Sequence, residues 1–93
     1  MNTVIWKYDL QIEPMFSLEL PAKARILTMQ MQFDKPVMWC AVDPDAPRVI
    51  RRFGLIATGN QVAFDLPKYI GTFQLFGGAT VLHLFEFYDE LKS

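Results

Sequence analysis

The chain has 93 residues, of which 52% are hydrophobic and 20% charged, and nine Lys and Arg against ten Asp and Glu leave a formal net charge of −1. That length suits one domain, residues 1–93, with a single small core whose stability a partner would raise. The near-neutral balance argues against a nonspecific DNA coat, which needs a basic face, and the lone Cys40 excludes an intrachain disulfide and fits a reducing compartment.

In chain order, Val4, Trp6, Tyr8, Leu10 and Ile12 alternate with Ile5, Lys7, Asp9, Gln11 and Glu13, the period of a half-buried strand. Pro14 ends it by removing a ladder donor, and Phe16, Leu18 and Leu20 alternate through a second strand as far as Pro21. Ala22 to Arg25 would tolerate a helical turn, but Leu27, Met29, Met31 and Phe33 alternate for longer, which favours a third strand. A turn at Asp34-Lys35-Pro36 leads into Val37–Val42, apolar on both faces and therefore central.

Asp43-Pro44-Asp45-Ala46-Pro47 reads as a loop, because each proline lacks a donor and restricts the residue before it. Arg48 to Thr58 forms a fifth strand and Gly59-Asn60 a turn. Gln61 to Pro67 is ambiguous, with Val62 and Phe64 suited to packing as a loop cover. Lys68–Phe76 and Val81–Phe87 flank Gly77-Gly78, which tolerates the positive φ angles of a two-residue hairpin turn. In the last strand Val81, Phe85 and Phe87 fall on one face and Leu82 and Leu84 on the other, the pattern of a central strand or a subunit seam. Asp89, Glu90 and Lys92 read as a solvated tail. The expected fold is all-β: a small antiparallel β-sandwich or barrel of six to seven strands ending in a β-hairpin.

No apolar run approaches the roughly 20 residues of a membrane-spanning helix, and the opening residues lack a signal peptide's basic start and apolar middle. A cytoplasmic location is expected. A mean hydropathy of +0.16 is high for so short a chain and points to homo-oligomerisation.

His83 is the single histidine, so any imidazole acid/base pair must use it with a carboxylate such as Glu86 or Asp43. Its parity with Val81 and Phe85 suits a satisfied core or interface residue better. Cys40, between Trp39 and Ala41, suits a buried apolar thiol rather than a nucleophile. Asp43 and Asp45 are two carboxylates that a cation would accept, yet the loop lacks the further oxygen ligands of a calcium site, and an Asx turn accounts for it better.

Arg48, Arg51 and Arg52 follow this loop, and Lys68 joins them if the two halves fold together. Guanidinium forks take phosphate in two hydrogen bonds, so these residues with Tyr69 and Trp39 form a candidate ligand-binding set for a nucleotide-type molecule. The plainer reading pairs the arginines with Asp43, Asp45 and Asp65 on a solvated edge. Thr58-Gly59-Asn60 has neither a Walker loop's nor a dinucleotide fingerprint's pattern and reads as a turn. Trp6, Tyr8, Trp39, Tyr69, Phe73 and Phe76 would serve as a base-stacking surface or, more simply, fill a β core.

Several motifs taken together resemble a family of small uncharacterised proteins encoded by tailed bacteriophages. They are Ile5-Trp6-Lys7-Tyr8, Pro36 to Pro47, Ala57-Thr58-Gly59-Asn60, and Tyr69-Ile70-Gly71-Thr72-Phe73-Gln74 through Gly77-Gly78 to His83-Leu84-Phe85-Glu86, and they span nearly the whole chain. Where the family pattern has a histidine or similar polar residue after Thr-Gly, this chain has Asn60. The resemblance implies an accessory protein that disables host defence, by binding a defence protein or by soaking up a nucleotide alarm signal. An apolar-rich β domain without a complete catalytic set suits binding better than chemistry. The expectation is a non-catalytic, cofactor-free sponge. The alternatives are a direct inhibitor of the anti-CRISPR type, a small hydrolase using His83, and a minor virion or assembly component.

Overall fold

The computed structural model describes residues 2–62 and 68–87. Seven strands run through them: β1 (Val4–Asp9), β2 (Met15–Pro21), β3 (Arg25–Gln32), β4 (Lys35–Val42), β5 (Arg48–Ala57), β6 (Lys68–Leu75) and β7 (Thr80–Phe87). They form two antiparallel sheets, a smaller one ordered β1-β4-β3 and a larger one ordered β2-β5-β7-β6. The expected all-β architecture is thus a sandwich. The sequence expectations at Phe64, Asp65 and the tail lie outside the described residues.

Alternation along the strands decides which side chains face inward. Met38, Cys40 and Val42 of β4 are at most 1% exposed and meet Phe53 of β5 and Leu84 of β7, both at 0%, in one core. Each large apolar side chain so buried contributes about 1.5–3 kcal/mol. Phe16 and Phe53, opposite each other on β2 and β5, stack with centroids 5.6 Å apart. Trp6 and Tyr8 pack against this core from β1, and Phe73 is buried in it, so three aromatics of the candidate stacking surface belong to the interior instead.

Three short crossings carry the chain between the sheets: residues 10–14, 22–24 and 43–47. The Ala22 amide donates to the Pro47 carbonyl at 2.8 Å, which ties the last two crossings together at one end of the sandwich. The 10–14 crossing, the β3–β4 turn, the end of β5 and the β6–β7 turn therefore share the opposite end. On that side the Leu55 amide donates to the Pro14 carbonyl at 3.0 Å. The 43–47 loop is closed by the Asp45 amide donating to Asp43 Oδ1 at 3.0 Å, the expected Asx turn.

Two turns differ from expectation. Gln32 pairs with Lys35, so the β3–β4 turn is Phe33-Asp34, both with positive φ (51° and 64°), and Pro36 belongs to the strand. Leu75 pairs with Thr80, so the last hairpin has a four-residue loop, Phe76–Ala79, rather than a two-residue turn. Gly77 and Gly78 have the positive φ expected of them, and Phe76 joins them at 54°.

Candidate functional site

The side chains that alternate outward from the core of the larger sheet make its open face. Phe53, Leu55 and Leu84 point in, so Arg52 and Ile56 on β5, and His83, Phe85 and Phe87 on β7, point out, and Thr58 follows β5 directly. Arg52 lies opposite Phe87 and Ile56 opposite His83. On β6 the register shifts between Tyr69 and Gly71, leaving Tyr69 opposite Phe85 and Thr72 opposite His83. A bulge of this kind re-aims side chains, here putting two residues three apart in sequence onto one face. Gly71 in turn faces β3: a Cβ there would lie 2.6 Å from Met29 Cγ, so the close approach of the two sheets requires glycine.

A chain of hydrogen bonds crosses this face. Tyr69 Oη lies 2.6 Å from Thr72 Oγ1, Thr72 Oγ1 lies 2.8 Å from His83 Nδ1, and His83 Nε2 lies 2.7 Å from Thr58 Oγ1. His83 is thus satisfied, as its parity suggested, but it points away from the core on the open face, and threonine hydroxyls rather than Glu86 or Asp43 hold its two nitrogens. Beside it the Tyr69 and Phe85 rings meet edge to face at 5.6 Å. The Phe87 ring covers Gly54, where a Cβ would come within 2.5 Å of it.

The six residues of the candidate ligand set occupy different surfaces. Arg52 and Tyr69 share the open face, on either side of β7. Lys68 is exposed at the start of β6, in register with Glu86. Trp39 alternates with the buried Met38 and Cys40 and so lies on the outer face of the smaller sheet. Arg48 donates to the carbonyls of Ala46 (2.8 Å) and Pro44 (3.1 Å) and sits 5.5 Å over the Trp6 ring, bracing the 43–47 loop.

Arg51 points between the sheets. Its Nε and Nη2 donate to the two carboxylate oxygens of Glu86 at 2.6 and 2.9 Å, and its Nη1 donates to the Ala24 carbonyl at 2.6 Å. The hydrogen bond to Glu86 is the main reason its pKa is raised above the ordinary arginine value. Burial pushes the nearby Cys40 thiol up to about 11, as expected of an apolar, unreactive cysteine. Among the described residues no three His, Cys, Asp or Glu side chains are grouped to hold a metal ion. Nothing in the letters signalled that Arg52 lies opposite Phe87, nor the β6 bulge or the threonine clasp on His83.

The fold and this face define a small β-sandwich with a largely apolar, hydroxyl-lined open sheet. The chain belongs to the family DUF7352, described as a domain of unknown function, whose pattern matches residues 1–92. No curated protein and no solved structure matches it.

Proposed function

We propose that the protein is a phage accessory protein that antagonises host defence by binding, and that its open sheet face captures a nucleotide-type immune signal without converting it. The reading is carried by one juxtaposition: a guanidinium (Arg52), an exposed aromatic (Tyr69) and a run of hydroxyl and imidazole groups share one face. A base stacks on an aromatic ring, a phosphate takes the guanidinium fork, and ribose hydroxyls suit the Thr72–His83–Thr58 chain. Binding is favoured over hydrolysis because both ring nitrogens of His83 are engaged by threonine hydroxyls and Glu86 is engaged by Arg51, so the imidazole–carboxylate pair that a hydrolase would use is not formed. A second reading, direct inhibition of a defence protein, draws on Ile50, which is 70% exposed on the same sheet.

Titration calorimetry with a panel of cyclic mono-, di- and oligonucleotides tests this. Arg52→Ala and Tyr69→Ala should each weaken binding about tenfold or more with the fold intact, since a charge-assisted hydrogen bond or a base stack contributes roughly 1–3 kcal/mol. The ligand should be recovered unchanged after heat denaturation. Turnover of the nucleotide would support the hydrolase instead, and a host protein captured in place of any nucleotide would support the inhibitor.

A further inference from the structure

Phe33 and Phe76 are 89% and 80% exposed, and both have positive φ, 51° and 54°. Bulky residues rarely adopt that conformation, and a backbone held there against its preference points to a use for the side chain. Each ring crowns a hairpin. β3 and β6 run side by side toward the same end, with Met29 against Gly71, and Phe33 and Phe76 follow those two positions by four and five residues. The two tips therefore stand at similar height on one corner of the sandwich.

The same end also holds a cleft of about 290 Å³, floored by Leu55, Ala57 and Leu82 and walled by Ile12 and Pro14. An apolar cavity of about 150 Å³ is enough to take a benzene ring. The cleft lies on the β2–β5 side, whereas the two rings lie on the β3–β6 side.

We infer that this end is a self-association surface, on which Phe76 of one copy seats in the cleft of a second copy and receives that copy's Phe76 in its own. A two-fold axis perpendicular to the strands exchanges the two sides of the end, so each ring faces the other copy's cleft and the assembly closes as a dimer. The charges around the patch are mixed, Asp34 and Lys35 beside Phe33 and Glu13 beside the cleft. They give no cationic patch to draw the rings to an anionic lipid surface. The contact leaves the face of the larger sheet open, and so stands apart from the nucleotide reading.

Sedimentation equilibrium of the full chain, from about 1 μM to about 1 mM, should show a reversible dimer. Phe76→Ala and, separately, Ile12→Asp should each weaken it about tenfold or more. Both positions are largely exposed, so circular dichroism should show the native fold. An equimolar mixture of the two variants should associate more tightly than either alone, because the ring of Ile12→Asp still finds the intact cleft of Phe76→Ala. A wild-type monomer throughout, a dimer indifferent to Phe76→Ala, a mixture no tighter than its components, or a monomer that floats with neutral phosphatidylcholine vesicles would each overturn the proposal.

Discussion

Replacing Arg51 by alanine separates a residue that holds the fold from its neighbour Arg52, which faces outward. The substitution removes both hydrogen bonds to Glu86 and the one to the Ala24 carbonyl. It also leaves the Glu86 carboxylate, 12% exposed, without its countercharge. Breaking a fully buried pair from one side costs about 3–5 kcal/mol. Arg51 keeps 20% of its side chain exposed, so partial solvent screening brings the expected cost to about 2–4 kcal/mol. A domain of this size loses about 4–8 °C of melting temperature per kcal/mol, so a fall of about 8–32 °C follows. Arg52→Ala should stay within about 0.5 kcal/mol, as exposed substitutions do. Urea unfolding followed by tryptophan fluorescence, with calorimetry for Tm, measures both. The double variant Arg51→Met with Glu86→Leu should recover most of the loss, because an apolar pair of similar volume leaves no buried charge. A cost below about 1 kcal/mol for Arg51→Ala, or one no larger than that of Arg52→Ala, would refute the assignment of this pair to the fold.

Phe76→Asn should raise the stability of the monomer by about 0.5–1 kcal/mol, since asparagine tolerates positive φ and the exposed ring contributes little burial. Urea midpoints at low protein concentration check this, and an unchanged or lower midpoint would count against backbone strain at the tip. The Cys40 thiol should make stability fall at alkaline pH. Its folded pKa is raised by burial from 9.0 to about 11, so the unfolded chain ionises first. The contribution is whole below about pH 9 and lost as pH rises through the folded value. Cys40→Ala should flatten that part of the stability profile.

Much of the fold was legible because the letters alternate wherever one strand face is buried. The period of two in Trp6, Tyr8 and Leu10 follows from an edge strand with one face on the core, and the apolar run Val37–Val42 from the middle strand between β1 and β3. The site was less legible for three physical reasons. A bulge has no letter of its own, so Tyr69 and Thr72 could not be placed on one face from their spacing. Arg51 and Arg52 are adjacent, hence on opposite faces, yet only the register that brings Glu86 alongside shows which of them is neutralised. Phe33 fits the alternation of β3 so well that it reads as a strand residue, although the turn takes it out of the ladder.

Part of the apolar surplus that first pointed to oligomerisation lies on two distinct surfaces. Ile50 and Tyr69 expose 70% and 56% on the larger sheet, while Ile12, Phe33 and Phe76 expose 53%, 89% and 80% at one end. Segregation of this kind lets one surface be covered while the other stays open. If the two-fold axis of an end-to-end dimer lies along the sheet normal, it leaves both larger-sheet faces on the same side of the assembly. Two such faces held in fixed relation would engage a two-fold symmetric ligand with an effective concentration that separate chains lack. Phe76→Ala would then weaken capture of a symmetric dinucleotide while leaving a mononucleotide's affinity unchanged, whereas Arg52→Ala would weaken both. Equal losses for the two ligands in Phe76→Ala would show that the end and the face are not coupled through symmetry.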